Sequence, residues 1–133
     1  MDDRQDSLVL DMAAAYPAAA GLRSLERSVI FDRTTAGGRI VLSDDFGFAQ
    51  GGGEFQSTLV TPLIAEIGAG EVRIGDQSGG VRVRFDPAAV TVGTEHHGGV
   101  EKQYAPSVDL TRVLFSAVGR PQAGRIALEI SPL

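Results

Sequence analysis

Three consecutive segments decide how the chain is read. Leu25-Glu26-Arg27-Ser28-Val29-Ile30-Phe31-Asp32-Arg33 is followed by Thr34-Thr35-Ala36-Gly37-Gly38 and then by Arg39-Ile40-Val41-Leu42-Ser43-Asp44. In the first segment Leu25, Arg27, Val29 and Phe31 share one face of an extended chain, and Glu26, Ser28, Ile30 and Asp32 share the other. β-Branched and aromatic residues suit such a half-buried surface. The Gly-Gly pair supplies the turn, and Ile40 and Leu42 return on one face. The segment therefore predicts a β-hairpin.

Working outward, the same grammar repeats. Glu71 to Gly75 and Val81 to Asp86 flank Asp76-Gln77-Ser78-Gly79-Gly80, a second predicted hairpin. Val81, Val83 and Phe85 point one way, and Arg82 and Arg84 the other. Shorter strands are expected at Ser7 to Asp11, Phe55 to Thr61 and Val90 to Glu95, with an ambiguous one at Ile64 to Ile67. Two last strands are expected at Leu110 to Val118 and Arg125 to Ser131. Asp45 to Ala49 continues extended, Gln50 to Gly53 reads as a flexible loop, and His96 to Ser107 as a long one. Alanine favours helix between Ala13 and Ala20, but Pro17 limits it to one or two short turns. Strands at this spacing predict an all-β antiparallel sandwich over residues 1–133. The expected core residues are Ile40, Leu42, Val83, Phe85, Leu128 and Ile130.

Composition narrows the function classes. The 133 residues suffice for one domain with its own core, and 43% apolar with 22% charged residues speaks against disorder. A formal net charge of -5 repels nucleic-acid phosphates. No cysteine is present, so disulfides and thiolate chemistry are excluded, while the compartment stays open. No apolar run approaches the roughly 20 residues that span a bilayer, and no membrane partner is expected. Met1 to Asp6 is too acidic and polar for a signal peptide. The chain reads as a segment cut from a longer protein.

Leu10-Asp11-Met12-Ala13-Ala14-Ala15-Tyr16-Pro17-Ala18-Ala19-Ala20-Gly21-Leu22, then Leu25 to Arg33, then Gly38 to Phe46 carry a more specific signal. This order of an Ala-Tyr-Pro segment, an Arg-containing strand and a strand closing on Asp and an aromatic resembles the carboxy-terminal β-domain of heparinase II/III-like proteins. A Thr-Pro segment, a Gly-rich hairpin, an Asp-Pro-Ala turn and a terminal strand pair follow in similar outline. The family's frequent Trp-Gly before the penultimate strand has no counterpart, because the chain lacks Trp. The resemblance implies a polysaccharide lyase that cleaves uronic-acid-containing glycans by β-elimination, and a periplasmic or secreted location. It also implies an upstream α/α-toroid holding the family's catalytic Tyr and His and any metal ligands. None of these has a position here.

The residues themselves are sparing with chemistry. β-Elimination needs a base, an acid and a group that neutralises the uronate carboxylate. The chain offers His96, His97, Tyr16 and Tyr104, and no Asn. Tyr16 lies in an Ala-rich setting and reads as a packing residue, and Tyr104 as a loop residue. Glu95-His96-His97 is the one metal-like cluster, but adjacent residues on extended backbone point to opposite sides. Arg23, Arg27, Arg33, Arg82 and Arg84 suit carboxylates or sulfates, or simply pair with acidic neighbours. Gly51-Gly52-Gly53 lacks the Lys-Ser/Thr and helix of a phosphate loop. Arg82, Arg84, His96, His97 and Tyr104 are accordingly the candidate substrate contacts. No catalytic residue, metal ligand or cofactor is assigned.

The expectation is a non-catalytic β-sandwich that braces the catalytic modules of a glycan lyase, inactive in isolation. Two other readings stand beside it: a carbohydrate-binding module for acidic polysaccharide, and an oligomerisation module that forms a homo-oligomer through strand edges or a sheet face. Scarce aromatics, at 6%, weigh against the former.

Overall fold

The computed structural model describes residues 3–102 and 105–133. Ten strands follow one another: β1 (Gln5–Asp11), β2 (Leu22–Asp32), β3 (Arg39–Phe48), β4 (Gln56–Thr61), β5 (Ile64–Gly68), β6 (Glu71–Asp76), β7 (Gly79–Arg84), β8 (Val90–Lys102), β9 (Ala105–Ala117) and β10 (Ala123–Pro132). Two sheets result, with all neighbours antiparallel. The large sheet runs β1-β2-β3-β10-β7-β6-β5, and the small one β4-β9-β8. The fold is an antiparallel β-sandwich.

Within the large sheet, β1-β2-β3 and β5-β6-β7 are each simple meanders. The last strand, β10, lies between them and pairs with β3 on one side and β7 on the other. It sets Leu128 opposite Leu42, and Ile130 opposite both Ile40 and Val83. The chain thus closes its largest sheet with its last strand.

The inner faces meet through apolar side chains. Val72, Val83, Val113, Phe115, Ile126 and Leu128 are fully buried, and Leu25, Phe46, Phe48, Phe55, Ile74 and Val90 nearly so. Aromatic rings pin the layers. Phe46 of β3 stacks on Phe55, just before β4, with centroids 4.3 Å apart and planes at 10°. Phe85, just after β7, meets Phe115 of β9 edge-on at 5.8 Å. A Cβ on Gly53 would stand 2.5 Å from the Phe48 ring, so that glycine is what lets the loop close over it.

The predicted hairpins form. Gly37 and Gly38 turn the chain at φ 79° and 81°, a region that side chains disfavour. Asp32 accepts hydrogen bonds from the Thr34 amide and hydroxyl, and Asp76 does the same for Ser78 in the second turn. Those hydroxyl bonds, first among the causes, hold both carboxyls below the ordinary 3.8. The Ala-rich segment makes two 3₁₀ turns, Ala13–Ala15 and Ala18–Ala20, either side of Pro17.

Two expectations change. Of the segment from His96 to Ser107, read as a long loop, the described residues 96–102 and 105–107 are instead strand: β8 and β9 pair from Val90↔Ala117 out to Lys102↔Ala105. The partner strand supplies the ladder bonds that the glycines and polar residues could not promise alone. The register shifts between His97 and Val100, where Gly98 and Gly99 sit. Ile40, placed in the core, is half-buried, because the small sheet does not reach that end of β3. Leu42, Phe85 and Ile130 are partly buried and pack against the core, while Val83 and Leu128 are fully inside.

Phe115→Ala is expected to cost about 3–5 kcal/mol, and Phe85→Ala distinctly less because its ring is partly exposed. Urea midpoints of the two variants measure this, and equal losses contradict the placement. Stability from the Asp32 and Asp76 turns is present above the unfolded value near 3.8 and lost as pH falls through their lowered folded values. Carboxyl NMR titration should show both below 3.8, and ordinary midpoints contradict the turn geometry.

Candidate functional site

The four candidate contacts among the described residues do not converge. Arg82 and Arg84 lie on the outward face of β7, alternating with the inward Val81 and Val83. Arg82 Nε stands 2.7 Å from Glu71 Oε2, although its N–H is not aimed for a hydrogen bond. Arg84 Nη1 lies 3.9 Å from Glu129 Oε1. Arg39 Nη1 approaches Glu129 Oε2 at 3.8 Å, and Arg73 Nε approaches Glu71 Oε2 at 3.9 Å. The outward face of β3, β10, β7 and β6 is therefore a grid of alternating charge, with each candidate cation partly neutralised before any ligand arrives.

The histidines belong to the other sheet. His96 faces the β9 residue Thr111, with Nδ1 and Oγ1 3.1 Å apart. His97 lies on the opposite face of β8, its Nε2 3.6 Å from Glu95 Oε2. That carboxylate also accepts a hydrogen bond from Arg112 Nη1 at 3.2 Å. Strand alternation thus separates the two imidazoles, as the sequence reading expects. Tyr104 lies outside the described residues. Among the described residues, no three of His, Asp and Glu come together in a way that could hold a metal ion.

The other singled-out residues take structural places. Arg33 pairs with Asp6, donates to the Asp3 carbonyl and lies 5.6 Å from the centre of the Phe31 ring. Arg23 reaches across Gly47. Tyr16, read as a packing residue, is 44% exposed and walls a groove of about 160 Å³ with Leu22, Phe48, Glu54, Phe55 and Gln56.

The strongest polar arrangement lies elsewhere, between the two sheets. Asp44 has the inward parity of Ile40 and Leu42 and is 1% exposed. Arg27, inward on β2, clasps it with Nε and Nη2, both at 2.7 Å. Ser57 of β4 donates to Oδ2 from the facing sheet, also at 2.7 Å. The guanidinium, held by this carboxylate, titrates even higher than usual. One carboxylate thus accepts a fork from the large sheet and a hydroxyl from the small one. A readable signal existed, because two opposite charges fall on apolar faces of adjacent predicted strands. Ser57 and Asp44 are 2% and 1% exposed, so no substrate position opens onto them, and the work of the arrangement is to join the layers.

Asp44→Ala should cost about 1.5–3 kcal/mol, the range of hydrogen bonds to a charged group, because it leaves the Ser57 hydroxyl buried without its partner while Arg27, 29% exposed, can turn to water. Arg82→Ala should cost under about 1 kcal/mol, the range of exposed pairs. Denaturation midpoints measure both. A small loss for Asp44→Ala would show that the clasp does not hold the sheets.

No family model matches the chain, and no curated protein matches it. Solved structures do match. A heparan sulfate lyase, the HepC mutant from Pedobacter heparinus, superposes with a TM-score of 0.72 at 11% identity, over 99% of this chain and 20% of the lyase chain. The chain therefore spans about a fifth of that enzyme's length, and its two-sheet fold is that of a β-domain found in a heparan sulfate lyase.

Proposed function

We propose that residues 1–133 form one domain, the carboxy-terminal β-sandwich of a heparinase II/III-like polysaccharide lyase that acts on uronic-acid-containing glycans. In this reading the domain braces an upstream α/α-toroid that carries the catalytic groups, in a periplasmic or secreted protein. The observation that carries it is the superposition of nearly the whole chain on one fifth of a heparan sulfate lyase. The chemistry of the described residues supports it. β-Elimination requires several groups converging on one sugar. Here His96 and His97 face apart, and Arg82 and Arg84 lie on the outward face of the other sheet, already paired. A rigid sandwich clasped through Asp44 suits a bracing role.

A second reading draws on the groove beside Tyr16. An exposed aromatic flanked by Glu54 and Gln56 is a place where a sugar ring can rest, and this favours a glycan-binding module.

The test is to incubate the purified chain with heparan sulfate, heparin, alginate and chondroitin and follow the absorbance of the unsaturated product. A flat trace is expected, with at most weak binding that fades as salt screens the arginines. A steady rise that survives re-purification and disappears in the His96→Ala, His97→Ala double variant contradicts the bracing role.

A further inference from the structure

We propose that β1 is a pairing edge through which two copies of this chain join about a twofold axis at Val9. β1 is the end strand of the large sheet, hydrogen-bonded to β2 on one side only. Its central residues Leu8, Val9 and Leu10 are 54%, 59% and 41% exposed. An unpaired row of backbone donors and acceptors with apolar side chains above and below is a template for another strand. Its charges stand only near its ends, where Asp6 pairs with Arg33 and Asp11 accepts the Ala13 N–H. The strand Gln5-Asp6-Ser7-Leu8-Val9-Leu10-Asp11 holds no Lys and no Pro, and its register against β2 runs without a bulge.

The occupant follows from the pattern of the strand. Ser7-Leu8-Val9-Leu10-Asp11 reads polar, three apolar, polar from either end. Residues opposed across an antiparallel ladder lie on the same face. With Val9 on the axis, Leu8 meets Leu10 of the second copy on the inner face, twice by symmetry. On the outer face the Ser7 hydroxyl stands opposite the Asp11 carboxylate, a donor facing a negative charge, also twice. The neighbouring registers fail this test. An axis at Leu8 sets Asp6 against Leu10, and one at Leu10 sets Asp11 against Val9, so each opposes a carboxylate to an apolar side chain within β1, whereas with Val9 on the axis the corresponding contact, Asp6 against Met12, falls just beyond the end of the strand. The pairing also covers apolar surface that the small sheet leaves open, where Leu8 lies opposite Val29 in β2. Such an interface is isologous and closes on itself. It is independent of the lyase reading, which the absorbance assay tests separately.

The absence of cysteine makes the experiment clean. In the proposed register the two Val9 Cα atoms lie about 4.5–5.5 Å apart, within reach of a disulfide. Two Ser7 Cα atoms lie four residues apart along the seam, about 13 Å. Val9→Cys is therefore expected to form a covalent dimer under mild oxidation, and Ser7→Cys is not. In sedimentation velocity the unmodified chain should rise with concentration from 13.9 kDa towards twice that mass. Salt should strengthen the association, because it screens the repulsion between two chains of net charge -5. Val9→Lys sets two ammonium groups against each other on the axis. It should weaken association at least about tenfold while the circular-dichroism spectrum is unchanged. A chain that stays monomeric at every concentration overturns the proposal. So does cross-linking of Ser7→Cys as fast as Val9→Cys.

Discussion

The carboxylate of Asp44 is buried between two sheets, and a lone charge there would cost several kcal/mol. It is tolerated because Arg27 grips it with two bonds from β2 and Ser57 reaches it from β4. The three residues come from three strands and both layers. Apolar contacts such as Phe46 on Phe55 can slide with modest loss, but a forked ion pair with a third donor holds one alignment. Much else depends on that alignment. It holds β4 of the small sheet against β3, beside the stacked rings of Phe46 and Phe55.

How much of this could be read in the sequence depends on where each residue's partner lies. The hairpins around Gly37 and Gly79 were legible because strand, turn and return strand are contiguous, and the apolar alternation names their faces. Val83 and Leu128 follow from the same rule. The position of β10 between β3 and β7 was not legible, since a final strand can join either edge of a sheet and no local residue says which. The outer half of the β8–β9 hairpin was hidden for a related reason. His96 to Ser107 has few apolar residues, and its described residues are extended because each strand pairs with the other. Ile40 was misplaced because period-2 patterning identifies a face and not how far the facing sheet extends over it.

The candidate site divided in the same way. The opposite orientation of His96 and His97 is a consequence of backbone alternation, so it could be deduced without a fold. The partners of Arg82 and Arg84 could not, because Glu71 and Glu129 reach them across strand pairings distant in sequence. Arg27 and Asp44 carry a legible signal, opposite charges on the apolar faces of adjacent strands, but it points to an internal clasp and not to a ligand.

Fold and chemistry meet in one picture: a sandwich clasped from within, its outward charges mostly answered by its own residues, matching one fifth of a much longer lyase. The central claim is that this sequence works as part of such a longer polypeptide. The mass of the native polypeptide that carries it, captured by an antibody against this sandwich, tests the claim most directly. The account predicts a chain several times heavier than 13.9 kDa that releases unsaturated product from a uronate glycan. A native species of 13.9 kDa, with no larger form, would contradict it.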